Sequence, residues 1–316
     1  MKVPLIILLI IALLVLGLLA YQSTTNNRLD LRFWNNEKLD DKKDTKDKKD
    51  KKDNKDKKND ENVEASTSAS YLIEEKYIMP EVLSEISDIS YMHGSSFACV
   101  QDELGTIFIY NTADKKIERQ IPFAGPGDYE GIAVVGTNAY VVNSSGTVYE
   151  VSGLEEAKPL VKEHKTYLNA KNDVEALCYD KVNNRLLLAY KGEEAGGSRK
   201  GIYSFDLKNK QLASTPVYSI DLNNSLFEDG AKKKKQSFKP SALAIHPTNG
   251  DLYITEGTDP KLLILDSQEK VRSLVQFSGR DFTQPEGITF NAAGELFISN
   301  EGKKGNGNIL KVKLQS

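Results

Sequence analysis

The sequence predicts an all-β fold, a five-bladed β-propeller, because one short motif recurs along the chain. Four copies are clear and a fifth is weaker: Asp128–Ile132, Asp173–Leu177, Lys239–Leu243, Gln284–Ile288 and Glu85–Ile89. Most copies are separated by about 45 residues, an interval typical of propeller blades. The same series of short apolar runs and turns follows each copy, and no segment of helical period and length occurs after residue 22.

Each motif opens a predicted blade of four strands. A short apolar strand such as Ile132–Val134 comes first, and a turn leads to a second apolar strand such as Leu252–Thr255. The third strand tends to alternate, as in Thr106–Tyr110, and the fourth is more polar, as in Ile117–Pro122. Apolar inner strands are expected where blades stack on both faces, and a polar outer strand suits an exposed edge.

The two ends of the predicted domain are expected to complete one blade. The chain reaches Ser316 after the third strand of the last blade, and Ile73–Pro80 resembles Ile117–Pro122 in pattern. Pairing these ends would close the ring. The interval between Leu177 and Leu243 is longer than the others, which we interpret as a loop at residues 223–238, and a six-bladed propeller is the alternative.

Composition divides the chain into residues 1–22, 23–70 and 71–316. Val3–Ala20 is apolar and uncharged, near the lower length limit for crossing a bilayer. Leu18 disfavours signal-peptidase cleavage after Ala20, so we favour a retained transmembrane anchor over a signal peptide. We therefore predict a single-pass protein of the cell membrane with its propeller outside the cytoplasm.

The segment between anchor and propeller is charged and lacks an apolar face. Lys38–Asp60 consists almost entirely of Lys, Asp and Asn, so we predict a disordered spacer. The alternative is a basic patch for nucleic acid or anionic lipid; Asp residues among the lysines and the lack of aromatics argue against nucleic acid. Cys99 and Cys178 lie in apolar strand patterns and either pair or remain buried thiols.

Three motif copies carry a glutamate at the same position, directly before the innermost strand. Glu130, Glu175 and Glu286 should therefore ring the mouth of the central channel. Carboxylates about 6 Å apart would repel by roughly 3 kcal/mol per pair at an effective dielectric near 20. Such repulsion either raises their pKa values or calls for a cation. Ser87 and Ser241 stand at the corresponding positions of the other two copies and leave the ring incomplete.

The ends of the second strands supply a further polar set on the same face. Oxygen ligands without a nearby His or Cys suit Ca²⁺ better than Zn²⁺. The predicted calcium ligands come from both sets: Glu130, Glu175, Glu286, Glu256, Glu301 and Asn143. The alternative is that each glutamate hydrogen-bonds backbone amides and locks neighbouring blades together.

Motifs of common catalytic centres are absent from the sequence: it has no Gly-x-Ser-x-Gly elbow, phosphate loop, His-Glu-x-x-His or Cys-x-x-Cys. His93, His164 and His246 are scattered, and we expect a structural role for His246. If the chain is an enzyme, Glu130 and Glu286 are the candidate catalytic residues.

The motifs resemble the SdiA-regulated domain family over roughly Ile73 to Leu314. The resemblance rests on Asp128–Ile132, Pro240–Pro247, Gln284–Phe290 and Leu296–Glu301. It implies a bacterial, membrane-anchored or exported small-bladed propeller with a site at its hub and an activity that is not established.

Three functional hypotheses follow. The first is a tethered propeller that binds a small molecule or protein at the acidic central face, with Ca²⁺. The second is a metal-dependent hydrolase of lactonase, phosphodiesterase or phytase-like type, in which a hub glutamate is the general base. The third is a non-catalytic interaction module that uses its rim loops and Lys232–Lys235.

Overall fold

Five antiparallel sheets form a ring in a computed structural model that describes residues 70–194, 197–227 and 237–315. We number the blades 1 to 5 from the order of their innermost strands along the chain. Each innermost strand contacts the innermost strands of the two neighbouring blades, and the last contacts the first. The prediction of a five-bladed propeller is therefore confirmed, and the six-bladed alternative is wrong.

The strands of each blade run from the channel outward. Blade 1 contains β2 (Ile86–His93), β3 (Ser96–Gln101), β4 (Thr106–Asn111) and β5 (Lys116–Pro122). Blade 2 contains β6 (Tyr129–Val135), β7 (Asn138–Asn143), β8 (Val148–Ser152) and β9 (Leu160–His164). Blade 3 contains β10 (Val174–Asp180), β11 (Arg185–Tyr190), β12 (Arg199–Asp206), β13 (Gln211–Leu212) and β14 (Tyr218–Asp221). Blade 4 contains β15 (Pro240–Ile245), β16 (Leu252–Glu256), β17 (Lys261–Leu265) and β18 (Val271–Gln276). Blade 5 contains β19 (Pro285–Phe290), β20 (Leu296–Asn300), β21 (Asn308–Gln315) and β1 (Ser70–Ile78).

Blade 5 is completed by the first strand of the domain. Strand β1 pairs antiparallel with β21 from Ser70 opposite Gln315 to Ile78 opposite Asn308. The outer strand thus comes from one end of the domain and the other three strands come from the opposite end. This pairing closes the ring, as the pattern of Ile73–Pro80 predicts.

The hydrophobic core consists of five clusters, each of which lies between two adjacent blades. Between blades 1 and 2, Val100 and Ile107 pack with Ile132 and Val141. Equivalent clusters fill the other four boundaries, including the one where blade 5 meets blade 1. Because both faces of every blade are covered, the inner strands are apolar at nearly every position rather than at alternate ones.

The outer strands differ most from the expectation. Strand β9 is almost wholly exposed and has no apolar pattern by which to recognise it in the sequence. The outer edge of blade 3 is split, since β13 and β14 pair separately with β12. Short 3₁₀ helices occur at Glu81–Leu83 and Ser225–Phe227.

Part of the expected organisation lies outside the described residues. This applies to the apolar segment Val3–Ala20, the charged segment Lys38–Asp60 and Lys232–Lys235. Within the part of the chain that the structure describes, no helix has the length and apolar character needed to cross a membrane.

Candidate functional site

All five innermost strands carry a β-bulge at the same motif position. In blade 2, Tyr129 pairs with Asn143 and Gly131 with Val142, so Glu130 is the extra residue. The extra residues of the other blades are Ser87, Glu175, Ser241 and Glu286. A bulge bends its strand and redirects the side chain that it carries. The repeated motif therefore sets both the start of each blade and the residue that stands at the hub.

The glycines after two of the hub glutamates allow neighbouring blades to approach closely. A Cβ on Gly131 would lie 2.6 Å from Leu177 Cβ of blade 3. A Cβ on Gly287 would lie 2.8 Å from the backbone nitrogen of Ile89 in blade 1. Neither position has room for a side chain, so the innermost strands of neighbouring blades pack closely at the hub.

The structure brings Glu130, Glu175 and Glu286, which we call the hub glutamates, into one electrostatic cluster. Glu175 and Glu286 are 5% and 7% exposed, so more than nine-tenths of each residue is buried. Burial raises the pKa of Glu130, and the charge of Glu175 and a hydrogen bond with Asp128 raise it further. Burial also raises the pKa values of Glu175 and Glu286, and Lys191 lowers both in part.

A lysine that the sequence analysis did not single out lies among these acids. Lys191 directly follows β11 and places its Nζ 2.7 Å from Glu175 Oε2. Burial alone would lower the pKa of Lys191, but Glu175, Glu286 and Glu130 together raise it above its ordinary value. Lys191 is therefore a cation that pairs with Glu175 and is stabilised at longer range by Glu130 and Glu286 of two other blades.

Blade 4 leaves room for this cluster instead of contributing an acid to it. Its bulge residue, Ser241, donates a hydrogen bond of 2.6 Å to the carbonyl of Pro285 in blade 5. A Cβ on Gly257, just after β16, would lie 2.6 Å from Glu286 Oε1. Ser241 thus locks two blades together, and Gly257 makes space for the neighbouring carboxylate.

The other predicted ligands lie apart from the three hub glutamates or at the edge of their cluster. Glu256 pairs with Lys261 of its own blade at 3.3 Å. Asn143 uses Oδ1 to accept hydrogen bonds from Thr147 N and Ser145 Oγ in its own turn. Glu301 interacts with Glu85 and Glu286, and burial together with these acids raises its pKa.

A buried aspartate below the hub was also missed. Asp88 occupies the position that is Gly or Ala in the other four motif copies. Its carboxylate accepts hydrogen bonds from Ile89 N and from Ile132 N of blade 2, both at 2.8 Å. Burial raises the pKa of Asp88, although the hydrogen bonds oppose the rise. Asp88 therefore connects the innermost strands of adjacent blades, which is the locking role considered for the glutamates.

Below this level, the innermost strands enclose a cavity of about 170 Å³. All five blades contribute residues to its wall, and these residues include Tyr91, Tyr179 and Phe290. Two hydroxyls in the wall accept hydrogen bonds from backbone amides of the next blade: Ser90 from Val134 N and Thr289 from Tyr91 N. The channel wall is thus secured by contacts between blades.

The two cysteines are buried, and His246 packs against an aromatic ring. Cys99 and Cys178 are buried free thiols, and burial raises the pKa of each. His246 packs edge-to-face on Phe290 with ring centroids 4.8 Å apart. The structural role expected of His246 stays a prediction.

The described side chains at the hub do not form a ready-made calcium site. Among residues 70–194, 197–227 and 237–315, no group of three or more His, Cys, Asp or Glu side chains is arranged to hold a metal ion. Lys191 already supplies a positive charge to Glu175, so the arrangement fits a resident ammonium better than a preformed Ca²⁺ cage.

Comparison with protein families identifies the class of this propeller. The family model described as SdiA-regulated matches residues 64–304, and the chain belongs to that family. No curated protein matches the sequence.

Solved structures with similar folds have low sequence identity to this chain. Glutaminyl cyclase of Myxococcus xanthus is 15% identical with a TM-score of 0.55, covering 78% of this chain and 97% of that one. A Bacteroides thetaiotaomicron protein of unknown function is 14% identical with a TM-score of 0.48, covering 71% and 58%. Streptogramin B lyase is 11% identical with a TM-score of 0.45, covering 78% and 98%. At 15% identity, the similarity to the cyclase establishes the fold alone.

Proposed function

We propose that this protein is a membrane-tethered, extracytoplasmic propeller that binds a ligand with a cationic group at its acidic central face. One observation carries the proposal: glutamates from blades 2, 3 and 5 occupy the same bulge position and share one lysine. Strongly perturbed pKa values cluster at binding and catalytic centres, so these buried carboxyls are candidates for such a centre. The tether rests on the apolar segment Val3–Ala20.

The charges of Lys191 and the hub glutamates indicate which kind of ligand would bind. The Nζ of Lys191 is closest to Glu175, while Glu130 and Glu286 interact with it at longer range. Glu130 and Glu286 keep raised pKa values despite this lysine. An added positive charge would stabilise their ionised forms and lower their pKa values. We therefore favour a ligand with an amine or another cationic group.

We propose Ca²⁺ as the alternative to an organic cation at this site. For Ca²⁺ to bind all three hub glutamates, the ammonium of Lys191 would have to leave Glu175. The residues that would hold the ion after that change are Glu130, Glu175 and Glu286, and its charge would relieve their mutual repulsion. Replacing Lys191 with Met should consequently strengthen Ca²⁺ binding.

Isothermal titration calorimetry with CaCl₂ and with 1,4-diaminobutane tests the proposal on the full chain in detergent. We expect Glu130→Gln and Glu286→Gln to weaken binding of the favoured cation by at least about tenfold, as loss of a buried charge partner does. The matched control is Glu118→Gln, because Glu118 is exposed on the outer strand of blade 1. Equal binding by all four proteins, or no binding of either probe to the unmodified chain, would contradict the proposal.

General acid–base catalysis is the second candidate function, and the raised pKa values of the hub glutamates favour it. Burial and neighbouring charge keep Glu130 protonated to higher pH than an exposed glutamate, so it could donate a proton near neutral pH. A panel of lactones, phosphomonoesters, phosphodiesters and peptides with N-terminal glutamine tests this function. Turnover that disappears in Glu130→Gln while the fold is retained would place catalysis ahead of simple binding.

A further inference from the structure

A buried lysine behind the hub holds the backbone that carries Lys191. Lys200 lies on β12 and is 4% exposed. Its Nζ lies 3.2 Å from the carbonyl oxygens of Tyr190 and Lys191 and 2.6 Å from that of Gly192. An ammonium group has three N–H donors, so these three carbonyls can use all of them.

The opposite edge of the same segment is also fixed. Lys191 N donates to the carbonyl of Asp173, and Gly192 N donates to that of Asn172, both at 2.8 Å. A Cβ on Gly192 would lie 2.6 Å from the Asn172 oxygen, so the two segments are in direct contact. The backbone of Lys191 is therefore held on both sides while its side chain extends to Glu175.

The surroundings of Lys200 do not suggest a catalytic role for it. Burial lowers its pKa, and Glu194 and Glu193 oppose that change. Glu194 itself accepts hydrogen bonds from Gly201 N and Tyr203 Oη. Lys200 therefore donates its hydrogen bonds to backbone carbonyls, those of Tyr190, Lys191 and Gly192, as expected of a residue that holds a segment in place.

We infer that Lys200 is a positioning residue that fixes the ammonium of Lys191 among the hub glutamates. The inference deepens the proposed function and rests on it, because it explains how one cation is held where carboxylates from three blades converge. The groups that face Lys191 are Glu175, Glu286 and Glu130. Displacing the ammonium would break the 2.7 Å contact between Lys191 Nζ and Glu175 Oε2, and loss of this cation should raise the pH at which Glu175 titrates.

The test follows the ¹³C chemical shift of the Glu175 carboxyl against pH. We expect Lys191→Met to raise the titration midpoint and Lys200→Met to produce a smaller rise. The double variant should titrate like Lys191→Met alone. Lys210→Met is the matched control, because Lys210 also pairs with a half-buried glutamate but lies in a different cluster. It should destabilise the fold and leave the Glu175 midpoint unchanged.

A second substitution keeps the test decisive if Lys200→Met does not fold. Lys200→Gln retains two N–H donors on a shorter side chain and should raise the Glu175 midpoint less than Lys191→Met does. A Glu175 midpoint that stays at the wild-type value in the folded Lys200 variant would overturn the positioning role. A raised midpoint in a protein that binds neither CaCl₂ nor 1,4-diaminobutane would support positioning and contradict only the proposed function.

Discussion

Two glutamates that each pair with a lysine, the half-buried Glu150 and the buried Glu175, differ in their electrostatic surroundings. Glu150, on β8, accepts hydrogen bonds from Lys210 Nζ and Tyr140 Oη, both at 2.9 Å, and its other oxygen lies 2.8 Å from His164 Nε2. Burial alone would raise the pKa of Glu150, but these partners lower it to about 2. Glu175 has Lys191 at 2.7 Å, yet its pKa is raised.

The pKa values of Glu150 and Glu175 differ because the two carboxylates have different numbers of hydrogen-bond donors and neighbouring charges of different sign. Glu150 has three polar partners that connect β7, β8 and β9 of blade 2 to Lys210 of blade 3. Glu175 has one lysine and interacts with the like charge of Glu286, and its own charge raises the pKa of Glu130. The Glu150 cluster stabilises the fold, whereas the hub cluster retains unfavourable electrostatic energy that a ligand could relieve.

The largest expected effect is the loss of the Glu150 cluster. Glu150→Gln removes the charge that Lys210 and His164 contact and should lower the free energy of unfolding by about 3 kcal/mol at pH 7. Urea denaturation followed by circular dichroism measures it. Glu118→Gln, on an exposed outer strand, should change stability by less than about 0.5 kcal/mol. If Glu150→Gln lowers the free energy of unfolding by no more than Glu118→Gln does, the Glu150 cluster does not stabilise the fold.

Removal of the hub lysine should have a smaller, pH-dependent effect. Lys191→Met should lower the free energy of unfolding by about 2 kcal/mol at pH 8, because the hub glutamates lose their cation. The loss should shrink at pH 5, where carboxyls with raised pKa values are protonated. Urea titrations at both pH values check this, and an equal loss at each would contradict a shared cation.

Neutralising a hub glutamate should change the free energy of unfolding in the opposite direction to Glu150→Gln. A carboxyl whose pKa is raised in the folded state above the ordinary value of 4.5 destabilises the fold increasingly as pH rises above that value. Glu130→Gln should therefore raise the free energy of unfolding by about 1 kcal/mol at pH 8. Little change is expected at pH 4. Thermal melts at the two pH values measure the difference, and destabilisation at pH 8 would assign Glu130 to blade locking.

The smallest effect concerns acid unfolding. The pKa of Glu150 is lowered from 4.5 to about 2, so its stabilising contribution is present above pH 4.5 and is lost as pH falls through the folded value. The stability difference between wild type and Glu150→Gln should narrow by about 1 kcal/mol between pH 4.5 and pH 3.5. A difference that stays constant in urea titrations over this range would show that Glu150 has an ordinary pKa.

The repeated motif was sufficient to predict the blades and the convergence of the hub glutamates. Strand patterning fixes the hairpin order, and equivalent positions in a ring of blades must face one axis. Lys191 was missed because it follows its strand as one turn residue among several, and its meaning depends on acids from two other blades. Asp88 had a visible signal: it is the one charged residue at a position otherwise held by Gly or Ala.

Side-chain direction was harder to predict than strand order. Glu256 and Asn143 lie at the ends of second strands, as expected, but bond within their own blades to Lys261 and Thr147. Local hydrogen bonding of this kind does not follow from the period of a repeat. The Glu150 cluster was missed for the same reason, because residues far apart in the chain meet only after two blades pack.

The central claim is that hub glutamates from separate blades share one electrostatic environment, and the carboxyl titration of Glu130 tests it most directly. We predict that its ¹³C resonance titrates well above the ordinary pKa of 4.5 and that Glu175→Gln lowers the midpoint, since Glu175 raises the pKa of Glu130. A midpoint near 4.5 that does not respond to Glu175→Gln would contradict the account.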